Sequence, residues 1–217
     1  MALCAALTAL AACSGKHETP ATPPASGARP PAGASASSAP AMTGIPHSPQ
    51  FASKRWGFTI AYPADSQVQR DFRHSYLQTG TWKTYAVPDS RGLPVVALTM
   101  PGSNHITDAE VRIGVSDSQT EVAQCTTPPQ AVHAGSVGAV VINGIPFTRF
   151  EAGDAAMSHY LDVHSYRVVH AGTCYAIDLL VYGTNPKVYS PPATPPFTRK
   201  QAFTRMQDVL NTFRFTK

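Results

Sequence analysis

The segment from Lys16 to Pro49 decides how much of this 217-residue chain can fold. Of its 34 residues, 24 are Ala, Pro, Ser or Gly. Such a stretch has almost no large apolar side chain to bury, so nothing offsets the entropy of ordering it. It predicts a disordered tether, about 30 Å root-mean-square as a flexible coil and up to ~100 Å if polyproline-like. Any hydrophobic core must therefore come from residues 50–217, a length that suits one domain. The formal charge of +4 is spread along the chain, and its densest basic runs are the pairs Lys54-Arg55 and Arg199-Lys200. Clustered cations interleaved with aromatics are missing, which argues against a nucleic-acid partner.

Ahead of the tether, residues 2–12 read ALCAALTALAA. An apolar run this short cannot span a bilayer, which takes about 20 residues, but it has the length of a signal-peptide core. It ends Leu10-Ala11-Ala12-Cys13, followed by Ser14-Gly15, which resembles the bacterial lipobox. The resemblance implies cleavage before Cys13, a diacylglyceryl group on its thiol and an acyl chain, such as palmitate, on its freed amine. Two or three such chains hold a protein firmly where one does not. Ser14, rather than Asp, after the lipidated residue implies the periplasmic face of the outer membrane. No Lys or Arg precedes the apolar run, a departure from the usual positive start of a signal peptide. The expected division is thus a signal peptide at 1–12, a lipidated cysteine and tether at 13–49, and one domain at 50–217.

The chain has four cysteines: Cys4, Cys13, Cys125 and Cys174. Cys4 leaves with the signal peptide and Cys13 carries lipid, so Cys125 and Cys174 remain as an even pair. Exported proteins meet an oxidising compartment, and a disulfide is expected between them. Neither belongs to a C-x-x-C pair, so no metal site and no cofactor is expected.

Several segments of the domain read as strands: 56–62, 94–100 and 109–116. The runs 138–142 and 145–150 flank Asn143-Gly144, a strong hairpin signal. A longer hairpin is expected from 157–169 and 173–182, turning through His170-Ala171-Gly172. Residues 117–124 suit a short helix. Thr198 and Gln201 have the spacing of a capping box, and Phe203, Met206, Leu210 and Phe213 make one apolar helix face. Phe213-Arg214-Phe215 would close the chain as a short strand. The expected class is α+β, a mainly antiparallel sheet of about six to eight strands packed by a C-terminal helix. The run Gly57-Phe58-Thr59-Ile60-Ala61-Tyr62-Pro63 and the ending Phe213-Arg214-Phe215 resemble PsbP-like α/β sandwich domains. That resemblance implies an accessory or binding protein without catalysis, and it transfers no site residue.

No G-x-S-x-G, H-E-x-x-H, phosphate loop or dinucleotide fingerprint is present. The best polar constellation lies on the long hairpin. A three-residue loop with Gly172 left-handed would put Leu161, Val163, Ile177, Leu179 and Val181 on the core face. Tyr160, Asp162, His164, Tyr166, Asp178 and Tyr182 would then share the other face, with His164 opposite Asp178. Tyr189 lies in a proline-rich connection, 183–197, of a length that often carries function. The leading expectation is a membrane-anchored envelope lipoprotein acting as a non-catalytic module for an envelope protein or small molecule, with Tyr160, Tyr166, Tyr182 and Tyr189 as binding residues. The alternative is a periplasmic hydrolytic or metal-dependent enzyme using His164, Asp178 and Asp162.

Overall fold

The computed structural model describes residues 48–72, 77 and 81–216; the expectations for residues 1–47 lie outside them. Ten strands among the described residues form two antiparallel sheets. The larger sheet has the order β3 (Gln67–Gln69), β4 (Leu93–Thr99), β5 (Thr107–Ser116), β9 (Thr173–Thr184), β8 (His159–His170), β7 (Ile145–Ala156) and β6 (Gly138–Ile142). The smaller one has the order β1 (Gln50–Ser53), β2 (Phe58–Ala61) and β10 (Arg214–Phe215). Two helices complete the α+β fold, α1 (Gln119–Ala123) and α2 (Arg199–Leu210). β1 and β3 were not expected; each is short, and neither alternates long enough to stand out in sequence.

The principal core lies on one face of the large sheet. Ala202, Met206, Val209 and Leu210 of α2 join Phe58, Ile60 and Phe213 in one buried cluster with Val111, Ile113, Ile177 and Leu179. Helix α2 starts where the sequence predicts. Thr198 Oγ1 accepts from the Gln201 backbone N–H at 3.2 Å, and Gln201 Oε1 accepts from the Thr198 N–H at 2.8 Å. Two of the helix's unpaired amides are thereby satisfied. Thr198→Ala is expected to cost about 1 kcal/mol, read as a fall of roughly 2–4 °C in the melting temperature of a domain this size. An unchanged melt would mean that the prolines ahead of Thr198 set the helix start by themselves.

The opposite face is covered by residues 81–92 and by α1. Trp82 is fully buried there against Cys125, Cys174 and Ala176. Gly114 makes room for it: a Cβ at that position would come within 1.7 Å of the Trp82 carbonyl oxygen. Trp82 Nε1 donates to Ser90 Oγ at 2.8 Å, and Lys83 pairs with Glu121 of α1 at 2.6 Å. Cys125 and Cys174 form a disulfide, as their pairing in the sequence suggests.

The two hairpins read from the sequence, β6–β7 and β8–β9, each turn through two residues. Asn143 and Gly144 have φ of 50° and 78°, and Ala171 and Gly172 have 47° and 74°. These are the left-handed pairs of type I′ turns, whose twist matches that of the strands. The second turn corrects an expectation. His170 pairs with Thr173, so the loop is Ala171-Gly172, not three residues. Every partner shifts by one: His164 faces Leu179, and Asp178 faces Ser165. Because side chains alternate, a one-residue shift exchanges the faces of one strand relative to the other. Leu161 and Val163 therefore join Leu180 on the face away from α2, while Ile177, Leu179 and Val181 stay beneath the helix.

Candidate functional site

The shifted register separates the two residues of the expected acid/base pair. His164 lies on the α2 side of the sheet. Asp178 is buried on the other side, where its Oδ1 accepts from Arg167 Nη1 at 2.6 Å and from Ser165 Oγ at 2.7 Å. Its Oδ2 accepts from the Thr84 N–H at 2.8 Å. Burial alone would raise the Asp178 pKa, but Arg167, Ser165 and Thr84 hold it below the usual carboxylate value. Four lone-pair directions facing three donors in a closed space leave this carboxylate no route to a substrate. Asp178 is a structural anion, and no catalytic pair with His164 exists.

His164 belongs to a different group. Glu151 and His164 are cross-strand partners, with 3.7 Å between Glu151 Oε1 and His164 Nε2. Arg149, two residues along the same face of β7, pairs with Glu151. Over the imidazole lies Phe203 of α2, its ring centroid 3.8 Å away and nearly parallel at 10°. Partial burial lowers the His164 pKa; Glu151 opposes this and Arg149 adds to it. The ring is therefore mostly neutral at pH 7 and suited to stacking. Next to it, Tyr166 Oη donates to Gln207 Oε1 at 2.7 Å, and Gln207 Nε2 donates to Asn211 Oδ1 at 3.1 Å.

Arg149, His164, Tyr166, Phe203 and Gln207, with Val140, line a groove of about 590 Å³ between α2 and the β6–β8 end of the sheet. Its floor mixes aromatic surface with a few polar groups, the composition common to binding clefts. Sequence reasoning missed Arg149, Glu151, Phe203 and Gln207. The signal was available in part: Arg149 and Glu151 share a strand face at i, i+2, and Phe203 and Gln207 share a helix face at i, i+4. That these two faces meet depends on where α2 crosses the sheet, which no local pattern specifies.

The other expected residues disperse. Asp162 pairs with Arg199 at 2.9 Å, and Arg199 lies over the Tyr160 ring at 4.3 Å. Tyr160 Oη is 2.8 Å from Thr107 Oγ1. Tyr182 is on the opposite face, where its hydroxyl donates to Glu110 Oε2 at 3.1 Å, beside the buried Glu110–Arg112 ion pair. Tyr189 sits in the proline-rich connection against His105. Of the four tyrosines expected to bind, Tyr166 alone lines the groove; the expected shared face is replaced by two faces and a loop. Among the described residues, no group of three His, Cys, Asp or Glu side chains is placed to hold a metal ion.

No family model matches the chain, and no curated protein matches it. Among solved structures it is similar to a protein of Bacteroides thetaiotaomicron VPI-5482, with 12% identity, 77% of this chain and 48% of that one covered, and a TM-score of 0.42. The chain spans about half the length of that protein. It is also similar to cyanobacterial PsbP (CyanoP) of Synechocystis sp. PCC 6803, with 11% identity, 82% and 98% covered, and a TM-score of 0.40. A third is LpqN of Mycobacterium tuberculosis, described as involved in cell envelope biogenesis, with 7% identity, 81% and 88% covered, and a TM-score of 0.38.

Proposed function

We propose that this chain is a lipid-anchored lipoprotein of the bacterial envelope whose domain is a non-catalytic binding module, and that the groove between α2 and β6–β8 is its contact face. The observation that carries the second part is the stacked His164–Phe203 pair at the groove floor. A flat aromatic surface flanked by Arg149, Glu151 and Tyr166 offers stacking and a few directed hydrogen bonds to a ligand. It offers no paired base and nucleophile. Asp178, the natural partner for a histidine base, is committed to Arg167 on the other side of the sheet. The first part rests on the lipobox-like run ending at Cys13 and on the Ala/Pro/Ser tract that follows it. A tether of that composition lets a folded module reach envelope partners from a membrane surface.

Two measurements test the two parts separately. Cys13→Ser is expected to leave an unprocessed precursor that no longer enters the detergent phase; normal processing and partitioning would remove the anchor. For the groove, a photo-crosslinking residue at Thr204, exposed on the groove rim, is expected to trap an envelope component that the same residue at exposed Val169 does not. Equal adducts from both positions, or none from Thr204, would remove the groove as the contact face.

A further inference from the structure

β6 ends the large sheet, and among the described residues no strand pairs with its outer edge. A sheet edge presents a row of unpaired N–H and C=O groups that can template another strand, and proteins guard such edges with charge, proline, a bulge or a cover. The sequence of β6 is GAVVI, with no charge and no proline. No bulge interrupts its pairing with β7, whose register is continuous from Gly138↔Arg149 to Ile142↔Ile145. Among the described residues nothing covers it either: Gly138 and Ala139 are exposed, Val141 is 69% exposed, and a Cβ at Gly138 would meet no atom within 4 Å. The other edge, β3, has three residues and two glutamines, the short polar form expected of a guarded edge.

The turn geometry specifies which backbone groups face outward. In a two-residue hairpin the residues flanking the turn form a hydrogen-bonded pair, here Ile142 with Ile145, and pair types then alternate. Val140 and Gly138 are therefore bonded inward to β7. Ala139 and Val141 direct their N–H and C=O groups away from the sheet. Pro146 stands opposite Val141, where its missing N–H costs no ladder bond, as this alternation requires.

This edge is self-complementary. If two antiparallel copies of β6 meet on a two-fold axis through Val140, Ala139 of each faces Val141 of the other. All four outward-facing residues then pair within the strands, making four backbone hydrogen bonds. Moving the axis to Ala139 or Val141 would bring in Val137, outside the strand, or Asn143, held in the turn at φ 50°. No like charges meet, because none are present. An axis perpendicular to the sheet also keeps matching faces on one side, so the grooves of the two copies open side by side. We infer that the chain self-associates through β6, forming a two-fold dimer with one continuous sheet and its axis at Val140. A five-residue ladder is smaller than the ~1,200–2,000 Å² of stable interfaces, so the dimer is a concentration-dependent one. This inference concerns the edge and does not depend on what the groove binds.

The test uses the purified chain carrying Cys4→Ser and Cys13→Ser, which leaves only the disulfide cysteines. Sedimentation is expected to show the 23.0 kDa monomer converting to a dimer as concentration rises. Val141→Lys, at an exposed side chain, is expected to weaken that dimer at least tenfold while leaving the thermal melt unchanged. The position of the axis is tested by oxidative crosslinking. Directly opposed residues in a non-hydrogen-bonded pair have Cα atoms about 4.5 Å apart, within disulfide range. Val140→Cys should thus link to its own copy, whereas Ala139→Cys should not, since its twin lies diagonally beyond the ~7 Å limit. A monomer at every concentration, a dimer indifferent to Val141→Lys, or Ala139→Cys linking as fast as Val140→Cys would each overturn the inference.

Discussion

Asp178→Ala is expected to cost the domain about 3–5 kcal/mol, the range for breaking a buried ion pair from one side. The reason is what remains. Arg167 keeps its charge in a site where it is 2% exposed, and the Thr84 N–H and Ser165 hydroxyl each lose an acceptor. Against a total stability of 5–15 kcal/mol, such a loss leaves a marginal fold. Urea denaturation would show it as a lower midpoint with an unchanged slope. Replacing both members, Arg167→Met with Asp178→Leu, should recover much of the loss, because the desolvated charge is gone. A small effect from the single variant would mean that water reaches Arg167. The pH dependence has a definite sign. The folded pKa of Asp178 lies below its unfolded value of about 3.9. The group's contribution is therefore present above that value and is lost as pH falls through the folded one. Acid should unfold the native protein, and Asp178→Ala should flatten that part of the profile.

The same ion pair explains where sequence reading stopped. The α+β class, the capping box at Thr198, the Asn143-Gly144 hairpin and the burial of Met206 and Leu210 on α2 were all legible, because each is written in residues close together in sequence. Phe213, read as part of that helix face, is buried just beyond the helix end, and Phe203 is only partly buried. The register of the β8–β9 hairpin was not. Asp178 has the parity of Ala176 and Leu180, which marks it as buried, and burying a lone carboxylate is costly. A three-residue loop avoids that cost by bringing Asp178 to the face of His164. The overlooked residue was Arg167. It has the parity of Leu161 and Val163, and with a two-residue turn it supplies the counter-charge that makes burial of Asp178 possible. An Arg on the apolar parity of one strand and an Asp on that of the next thus indicate a buried pair rather than a solvent-facing one.

That pair also organises the two faces of the sheet. By fixing the register, it sends His164, Tyr166 and Asp162 beneath α2 and keeps Asp178 and Tyr182 away from it. The face toward α2 keeps an open groove at its β6–β8 end, because α2 packs over β9 and β5. The far face closes over its charges with Trp82, Thr84 and α1. Polar residues on that face hold a cover in place, while those on the α2 side retain partial exposure to a ligand.

Reduction of the Cys125–Cys174 bond is expected to remove about 4 kcal/mol in the chain-entropy model for a separation of 49 residues. The Lys83–Glu121 ion pair and the packing of Val122 near Trp82 join α1 to residues 81–92. Losing the covalent link should therefore loosen α1 and residues 81–92 together, and with them the cover over Asp178. Trp82 reports this directly, since its ring belongs to the same buried cluster as both cysteines. With Trp56→Phe, Trp82 becomes the sole tryptophan of the two in the chain. Its emission should shift to the red at a lower urea concentration after reduction than before. Reduction and mutation separate two causes. Reduced Cys125 and Cys174 still fill their site, so the loss on reduction measures loop closure. Cys125→Ala with Cys174→Ala adds the space left by two buried sulfurs, and should cost more. If reduction leaves the midpoint unchanged while the alanine pair lowers it, the bridge contributes packing alone and the loop is already constrained by the sheet.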